Sequence, residues 1–237
     1  MTYVCADLHG YPRLSFLRLL QKAGFSGEDS LFVLGDVIDR GPDGIRLMQW
    51  MMAHPNVQLI MGNHESMLLS CAPFFPLLFR TVTDEALSDA ALLEDCLGKG
   101  MLELMEVWRR NGSSPTLEGL KRLSAEERED LLDYVRDAPY FEAVECGGRE
   151  FLLNHAGWGN YEPGKTQYTA DEMLWNRPAI TDCYYEKAIT VFGHTPTAFY
   201  GEQYAGRMLR TDTWIDIDTS PKPMLLRLDD LTPIYPD

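Results

Sequence analysis

The sequence predicts a mixed α/β fold, and three observations carry that prediction. Strand-like and helical segments alternate over residues 3–61, residues from about 66 to 138 read as helices, and residues 141–228 read mainly as strands. Alternation with short connections is what a parallel sheet with right-handed crossovers requires.

In order, Tyr3–Ala6 reads as a strand, Leu14–Ala23 as an amphipathic helix and Leu31–Leu34 as a second strand. Pro42–Ala53 follows as a helix with proline near its first turn, and Val57–Met61 as a third strand. The helical insert over about 66–138 ends in a helix opened by Ser124-Ala125-Glu126-Glu127, a capping box in which hydroxyl and carboxylate satisfy each other's backbone N–H. Strands are then expected at Phe141–Cys146, Glu150–Asn154, Ile189–Phe192, Trp214–Asp218 and Met224–Leu228. A short helix at Asp171–Trp175 carries a second capping box, Thr169 with Glu172. Residues 1–237 read as one domain, because the chemistry described next draws on both ends.

Composition narrows the function. With 21 Lys and Arg against 36 Asp and Glu, the chain carries a formal charge of −15. A general nucleic-acid binder needs a basic stripe to displace counterions, and an anionic membrane surface attracts basic segments; neither partner fits. Thr81–Asp137 alone holds 14 acids and 7 bases, a net −7, which favours basic over acidic partners. The longest apolar run, around Cys71–Phe79, is too short to span a bilayer and is broken by Pro73 and Pro76. The first residues lack a basic segment followed by an apolar one, so no signal peptide is expected. Five scattered cysteines fit neither a disulfide framework nor a cysteine zinc site, and the expected location is the cytoplasm.

The residues just after the strands carry the chemistry. They are Asp7-Leu8-His9-Gly10, Gly35-Asp36-Val37-Ile38-Asp39-Arg40-Gly41, Gly62-Asn63-His64-Glu65, Asn154-His155-Ala156-Gly157 and Gly193-His194-Thr195-Pro196. Open α/β sheets bind ligands at the carboxyl ends of strands, and four of the five histidines stand there. Asp7 and His9 can point at one ion, and carboxylate with imidazole suits first-row divalent metals. Asp36 can bridge two ions, with Asn63, His155 and His194 completing the coordination of the second ion. Each motif alone has an ordinary reading: a loop, a glycine-bounded turn, or a favourable acid such as Glu65 near a helix N-terminus. All five in this order do not.

Together these motifs resemble those of the calcineurin-like metallophosphoesterases. Within that superfamily the chain is similar to phosphoprotein phosphatases of the compact bacterial and phage type, to which bacteriophage lambda phosphatase belongs. Leu174-Trp175-Asn176-Arg177 and Ile217-Asp218-Thr219 support the likeness, while Ala6 and Ser220 stand where the family usually has glycine. Trp108-Arg109-Arg110-Asn111-Gly112 resembles a segment of bacterial relatives, but as a helix end stopped by Asn-Gly it needs no function.

The resemblance implies a four-layer α/β/β/α sandwich with two divalent ions at one rim. One ion falls to Asp7, His9 and Asp36, the other to Asp36, Asn63, His155 and His194. Manganese comes first, with iron and zinc as alternatives. It further implies a phosphomonoesterase acting on a phosphorylated protein or small phosphoester, serine/threonine first and tyrosine also, through direct attack of a hydroxide shared by the ions. Arg40 and Arg177 would hold the phosphate oxygens, since guanidinium forks match them. His64, held by Asp39, is the expected general acid, with Asp39 favouring the imidazolium. Two other readings stand beside this one: a symmetrical diadenosine tetraphosphate hydrolase and a non-catalytic, metal-stabilised binding module. Substrate choice is expected to lie with the insert and the loops around Gln167 and Tyr200.

Overall fold

The computed structural model describes residues 1–75, 79 and 100–237. The first sheet is built from β1 (Thr2–Cys5), β2 (Ser30–Val33), β3 (Val57–Leu59), β9 (Leu225–Arg227) and β10 (Thr232–Ile234), in the order β10-β9-β1-β2-β3. The second contains β4 (Phe141–Cys146), β5 (Arg149–Asn154), β6 (Ala188–Phe192), β7 (Leu209–Arg210) and β8 (Trp214–Asp216), in the order β4-β5-β6-β8-β7. Strands β1, β2 and β3 run parallel, as do β5, β6 and β8. Their carboxyl ends therefore gather at one rim of each sheet.

Alternation along the strands explains the layers. Tyr3 and Cys5 of β1, with Leu31 and Val33 of β2, bury into a core shared with helices α1 (Arg13–Ala23), α2 (Gly44–Met52) and α3 (Asn63–Cys71). The intervening Val4 and Ala6 face the other way, into a core completed by Phe151, Leu153, Val191 and Ile215 of the second sheet. Leu152, Phe192 and Trp214 point out of that sheet's far face, toward Trp158, Tyr184 and Met173 of α7 (Ala170–Leu174). Period-two alternation thus produces three apolar layers between four structural ones, helix–sheet–sheet–helix, as expected. Each fully buried large side chain contributes about 1.5–3 kcal/mol to this arrangement.

Helices α4 (Met101–Arg110), α5 (Ser114–Leu120) and α6 (Ala125–Arg136) of the insert join the helical layer over the first sheet. Trp108, Leu120, Leu131 and Val135 pack into the same core as Tyr3 and Met48. Both expected capping boxes are present, at Ser124/Glu127 and Thr169/Glu172. His54, just past the end of α2, bonds the Trp50 carbonyl through Nδ1 at 2.6 Å and so satisfies one of the last carbonyls of that helix. Residues 76–78 and 80–99 of the expected insert, and the charges counted there, lie outside the described residues. Among the described residues, no helix is long and apolar enough to cross a membrane.

The structure corrects several boundaries. β1 ends at Cys5, not Ala6; β2 ends at Val33, not Leu34; β8 ends at Asp216, not Asp218. The chain leaves β1 and β2 early because Asp7 and Gly35-Asp36 take left-handed conformations that no strand accommodates. Helix α2 starts at Gly44, two residues past the expected proline. Edge strands β7 and β10 were not expected: they are two and three residues long, and Pro233 obscures the second.

Candidate metal centre and active site

The rim where the parallel strands end is built from a backbone that resists ordinary geometry. Among the described residues, eight other than glycine have positive φ, and six of these are Asp7, His9, Asp36, Asp39, Arg40 and His194. Such conformations cost about 1–3 kcal/mol each and persist only where the surroundings over-determine them. Here the surroundings do so. His9 N–H donates to the Asp36 carbonyl at 2.7 Å and Gly10 N–H to that of Val37 at 2.8 Å, stitching the first loop to the second. Glu65, completely buried, accepts the backbone N–H of Asp36 at 2.7 Å and of Val37 at 2.9 Å. Gly193 is needed for room: a Cβ there would lie 2.0 Å from Asp7 Oδ2.

These loops bring together the six residues expected to bind metal. Asp36 is central: its Oδ2 lies 3.6 Å from His9 Nε2, and its Oδ1 lies 3.4 Å from His155 Nε2. Asp7 Oδ1 is 3.9 Å from His9 Nε2, while its Oδ2 accepts the His194 N–H at 2.9 Å. The Asn63 amide oxygen lies 2.8 Å from His155 Nε2 and 3.0 Å from His194 Nδ1. Compact ligand groups form around His9, Asp36 and His64 and around Asp36, His155 and His194, so Asp36 belongs to both.

The donor set fits a cation. His155 Nδ1 is 2.7 Å from the Leu34 carbonyl and His9 Nδ1 is 3.3 Å from that of Ile38, which places each ring proton on Nδ1 and leaves Nε2 as a lone pair facing inward. The Asn63 oxygen then faces only lone pairs, an arrangement that repels unless a positive charge sits among them or the amide turns its NH2 inward. Burial, the largest cause in each case, pushes His9 and His194 down to about 2 and His155 to about 3, so these rings are neutral and free to ligate. The same burial raises Asp7 and Asp36 well above ordinary carboxylates, with Asp218 adding to the effect at Asp7 and Glu65 at Asp36. Divalent cations would offset that cost directly.

His64 falls in the first compact ligand group with His9 and Asp36, but both of its ring nitrogens have other partners. Its Nδ1 is 2.6 Å from Asp39 Oδ2, the expected pairing, while its Nε2 is 3.7 Å from Asp36 Oδ2 and 3.2 Å from Arg40 Nη2. A guanidinium N–H on that nitrogen sets it apart from the rings that face only acceptors. The charge balance differs from expectation. Burial first and Arg40 second push His64 down to about 3, so the ring rests neutral despite Asp39. Arg40 and Arg177 are both exposed at the rim. Arg177 Nη1 is 3.5 Å from the His194 carbonyl, and its guanidinium lies 5.4 Å from the centre of the exposed Phe199 ring.

Sequence reasoning missed three kinds of residue. Glu65 has an adequate local explanation as an acid near a helix N-terminus, yet it pins the Asp36 loop. Trp108 and Thr116 both donate to Asp39, so the reading of Trp108–Gly112 as a mere helix end is incomplete. Asp216 and Asp218 are buried beside the site, with Asp216 Oδ2 lacking a partner. The resemblances of the Trp108–Gly112 and Ile217–Thr219 segments were the available signals, and neither named a contact.

Comparison with known proteins identifies the family. The symmetrical bis(5'-nucleosyl)-tetraphosphatase of Acidovorax sp. (strain JS42) is 29% identical over 174 residues, 73% of this chain and 47% of that protein. The chain therefore spans about half the length of that curated relative. Among solved structures, a putative diadenosine tetraphosphatase matches with a TM-score of 0.60 at 16% identity, covering 98% of this chain and 91% of that one. A serine/threonine phosphatase from Saccharomyces cerevisiae matches with a TM-score of 0.57 at 14% identity, covering 100% and 79%. At such identities the likeness concerns the fold. The model of the calcineurin-like phosphoesterases matches residues 2–217, which takes in every strand-end loop described above, and the chain belongs to that family.

Proposed function

We infer that this protein is a metal-dependent phosphomonoesterase whose substrates are phosphorylated proteins, serine and threonine esters first. Asp7, His9 and Asp36 would hold one divalent ion, and Asp36, Asn63, His155 and His194 a second, with manganese preferred over iron or zinc. Such ions supply a water of lowered pKa and neutralise phosphate charge. Arg40 and Arg177 orient the phosphate through its non-bridging oxygens. His64, oriented by Asp39, protonates the departing oxygen; the incoming phosphate draws Arg40 from Nε2 and favours the imidazolium there.

The observation that carries the reading is the Asp39–His64 pair beside the donor cluster. A serine or threonine alkoxide is a poor leaving group and needs a proton, whereas a nucleoside diphosphate departs readily without one. A second reading, symmetrical cleavage of dinucleoside tetraphosphates, is favoured by the name of the curated relative. Metal-reconstituted protein assayed on a phosphoserine peptide and on diadenosine tetraphosphate separates the two. The first reading expects phosphate release from the peptide. Nucleoside diphosphate from the dinucleotide with no turnover of peptide would replace it with the second.

A further inference from the structure

Among the described residues of the insert, the segment from Trp108 to Thr116 reaches the site. Trp108 on α4 is completely buried and donates its indole N–H to Asp39 Oδ2 at 2.7 Å. The same oxygen faces His64 Nδ1. Thr116 on α5, also buried, donates its hydroxyl to Asp39 Oδ1 and accepts the Asp39 backbone N–H at 2.9 Å. Between them, the Gly112 carbonyl accepts the Arg40 N–H at 2.9 Å. Asp39 and Arg40 are held at φ of 68° and 63° by these bonds.

Packing alone does not account for this. A core tryptophan needs apolar neighbours and any one acceptor for its N–H. Here both insert side chains spend their donors on one carboxylate, so with His64 three donors grip its two oxygens. Asp39 cannot rotate without orphaning a buried N–H or O–H. The His64 ring, tied to the less mobile carboxylate, keeps Nε2 turned toward Arg40 and Asp36.

We propose that Trp108 and Thr116 are positioning residues that fix Asp39, and through it His64 Nε2, where the leaving oxygen takes up its proton. In that step a water oxygen forms the new bond to phosphorus and releases its proton to solvent. The bond from phosphorus to the leaving oxygen breaks, that oxygen keeps the electron pair, and it receives the proton from the His64 imidazolium. Nδ1–H stays on Asp39, and solvent reprotonates Nε2. The proposal deepens the acid reading of His64 and rests on it.

The test uses the full chain reconstituted with manganese and compares phenyl phosphate, a poor leaving group, with p-nitrophenyl phosphate, a good one. Variants are Trp108→Phe, Thr116→Val, Thr116→Ser and His64→Asn. Trp108→Phe and Thr116→Val are expected to lower kcat on phenyl phosphate by about 10-fold or more, part of what a general acid supplies. On p-nitrophenyl phosphate the loss is expected to be less than about 3-fold, with KM and bound metal unchanged. Thr116→Ser, which keeps the hydroxyl, restores the wild-type ratio between substrates. A downfield proton resonance from the His64–Asp39 bond should also shift in Trp108→Phe, independently of turnover. If His64→Asn is selective for phenyl phosphate while Trp108→Phe and Thr116→Val slow both substrates equally, the positioning role is overturned and the acid stands. If His64→Asn is not selective, the acid reading falls and the proposal with it.

Discussion

Glu65 holds Asp36 by its backbone: the Glu65 carboxylate accepts the Asp36 N–H at 2.7 Å, while the Asp36 side chain reaches back to accept the His64 N–H at 3.0 Å. The residue expected to bridge two ions is thereby fixed from both sides by the turn that opens α3. Glu65→Gln replaces one acceptor with an NH2 group that must face backbone N–H. Each orphaned donor costs about 1–3 kcal/mol, so the melting temperature is expected to fall by roughly 5–10 °C. Metal retention should fall with it. A variant that melts and binds metal like wild type would show that the Asp36 loop holds itself.

Asp36→Asn tests the bridge more directly. The amide keeps the size of the side chain and removes the charge that both ligand groups share. Loss of both metals is expected by elemental analysis after gel filtration, with activity reduced by about 100-fold or more, as for removal of a group stabilising transition-state charge. Two tightly retained ions would refute the shared position of Asp36.

Metal loading should release protons. Without ions, burial raises Asp7 and Asp36, so these carboxyls hold their protons to higher pH than ordinary carboxylates, and a divalent cation competes with those protons. Affinity should therefore rise with pH, and calorimetry in buffers of different ionisation enthalpy should register net proton release on the acid side of neutrality. Equal heats in all buffers would contradict it.

Stability of the metal-free protein follows with a definite sign. A carboxyl raised in the folded state contributes stability that is present below its unfolded value and lost as pH rises through its folded value. Glu65, raised to about 7 chiefly by burial, places part of that loss near neutrality. The lowered histidines act in the opposite direction, but only below their ordinary value of 6.5. Above about pH 6.5 the histidine contribution has ended and that of the carboxyls remains. Melting temperature of chelator-treated protein should fall between about pH 6.5 and 8, and added manganese should flatten the slope.

Arg177→Lys examines phosphate recognition apart from the ions. The ammonium keeps the charge but loses the two-pronged donor. KM on a phosphoester is expected to rise by about 10-fold, the order of one charge-assisted hydrogen bond, with metal content unchanged. An unaltered KM would remove Arg177 from the site.

Much of the site was legible because its residues follow strands along the chain. Asp7, Asp36, Asn63, His155 and His194 each stand within four residues of a strand's end in sequence, so reading the loops in order already collects them. Trp108 and Thr116 were not legible in that way: they meet Asp39 across 69 and 77 residues, and nothing local in a helix end reveals where an indole N–H will find its acceptor. Glu65 failed differently. A carboxylate in a first helical turn has an adequate local explanation, which concealed its tertiary one. The fold shows the same division. Alternating strands such as β1 and β5 were visible, whereas β7 and β10 are defined by the partners they bond at sheet edges.

The hydrogen bonds from His194 N–H to Asp7 and between His155 and the Leu34 carbonyl close spans of 187 and 121 residues. During synthesis the chain presents Asp7, His9, Asp36 and Asn63 long before His194 leaves the ribosome. A nascent protein halted after β5 owns most of the ligands but cannot close the second group, because its last imidazole does not yet exist. If the six residues hold two ions as proposed, uptake of both would be a late event that reports placement of the loop after β6 against β1.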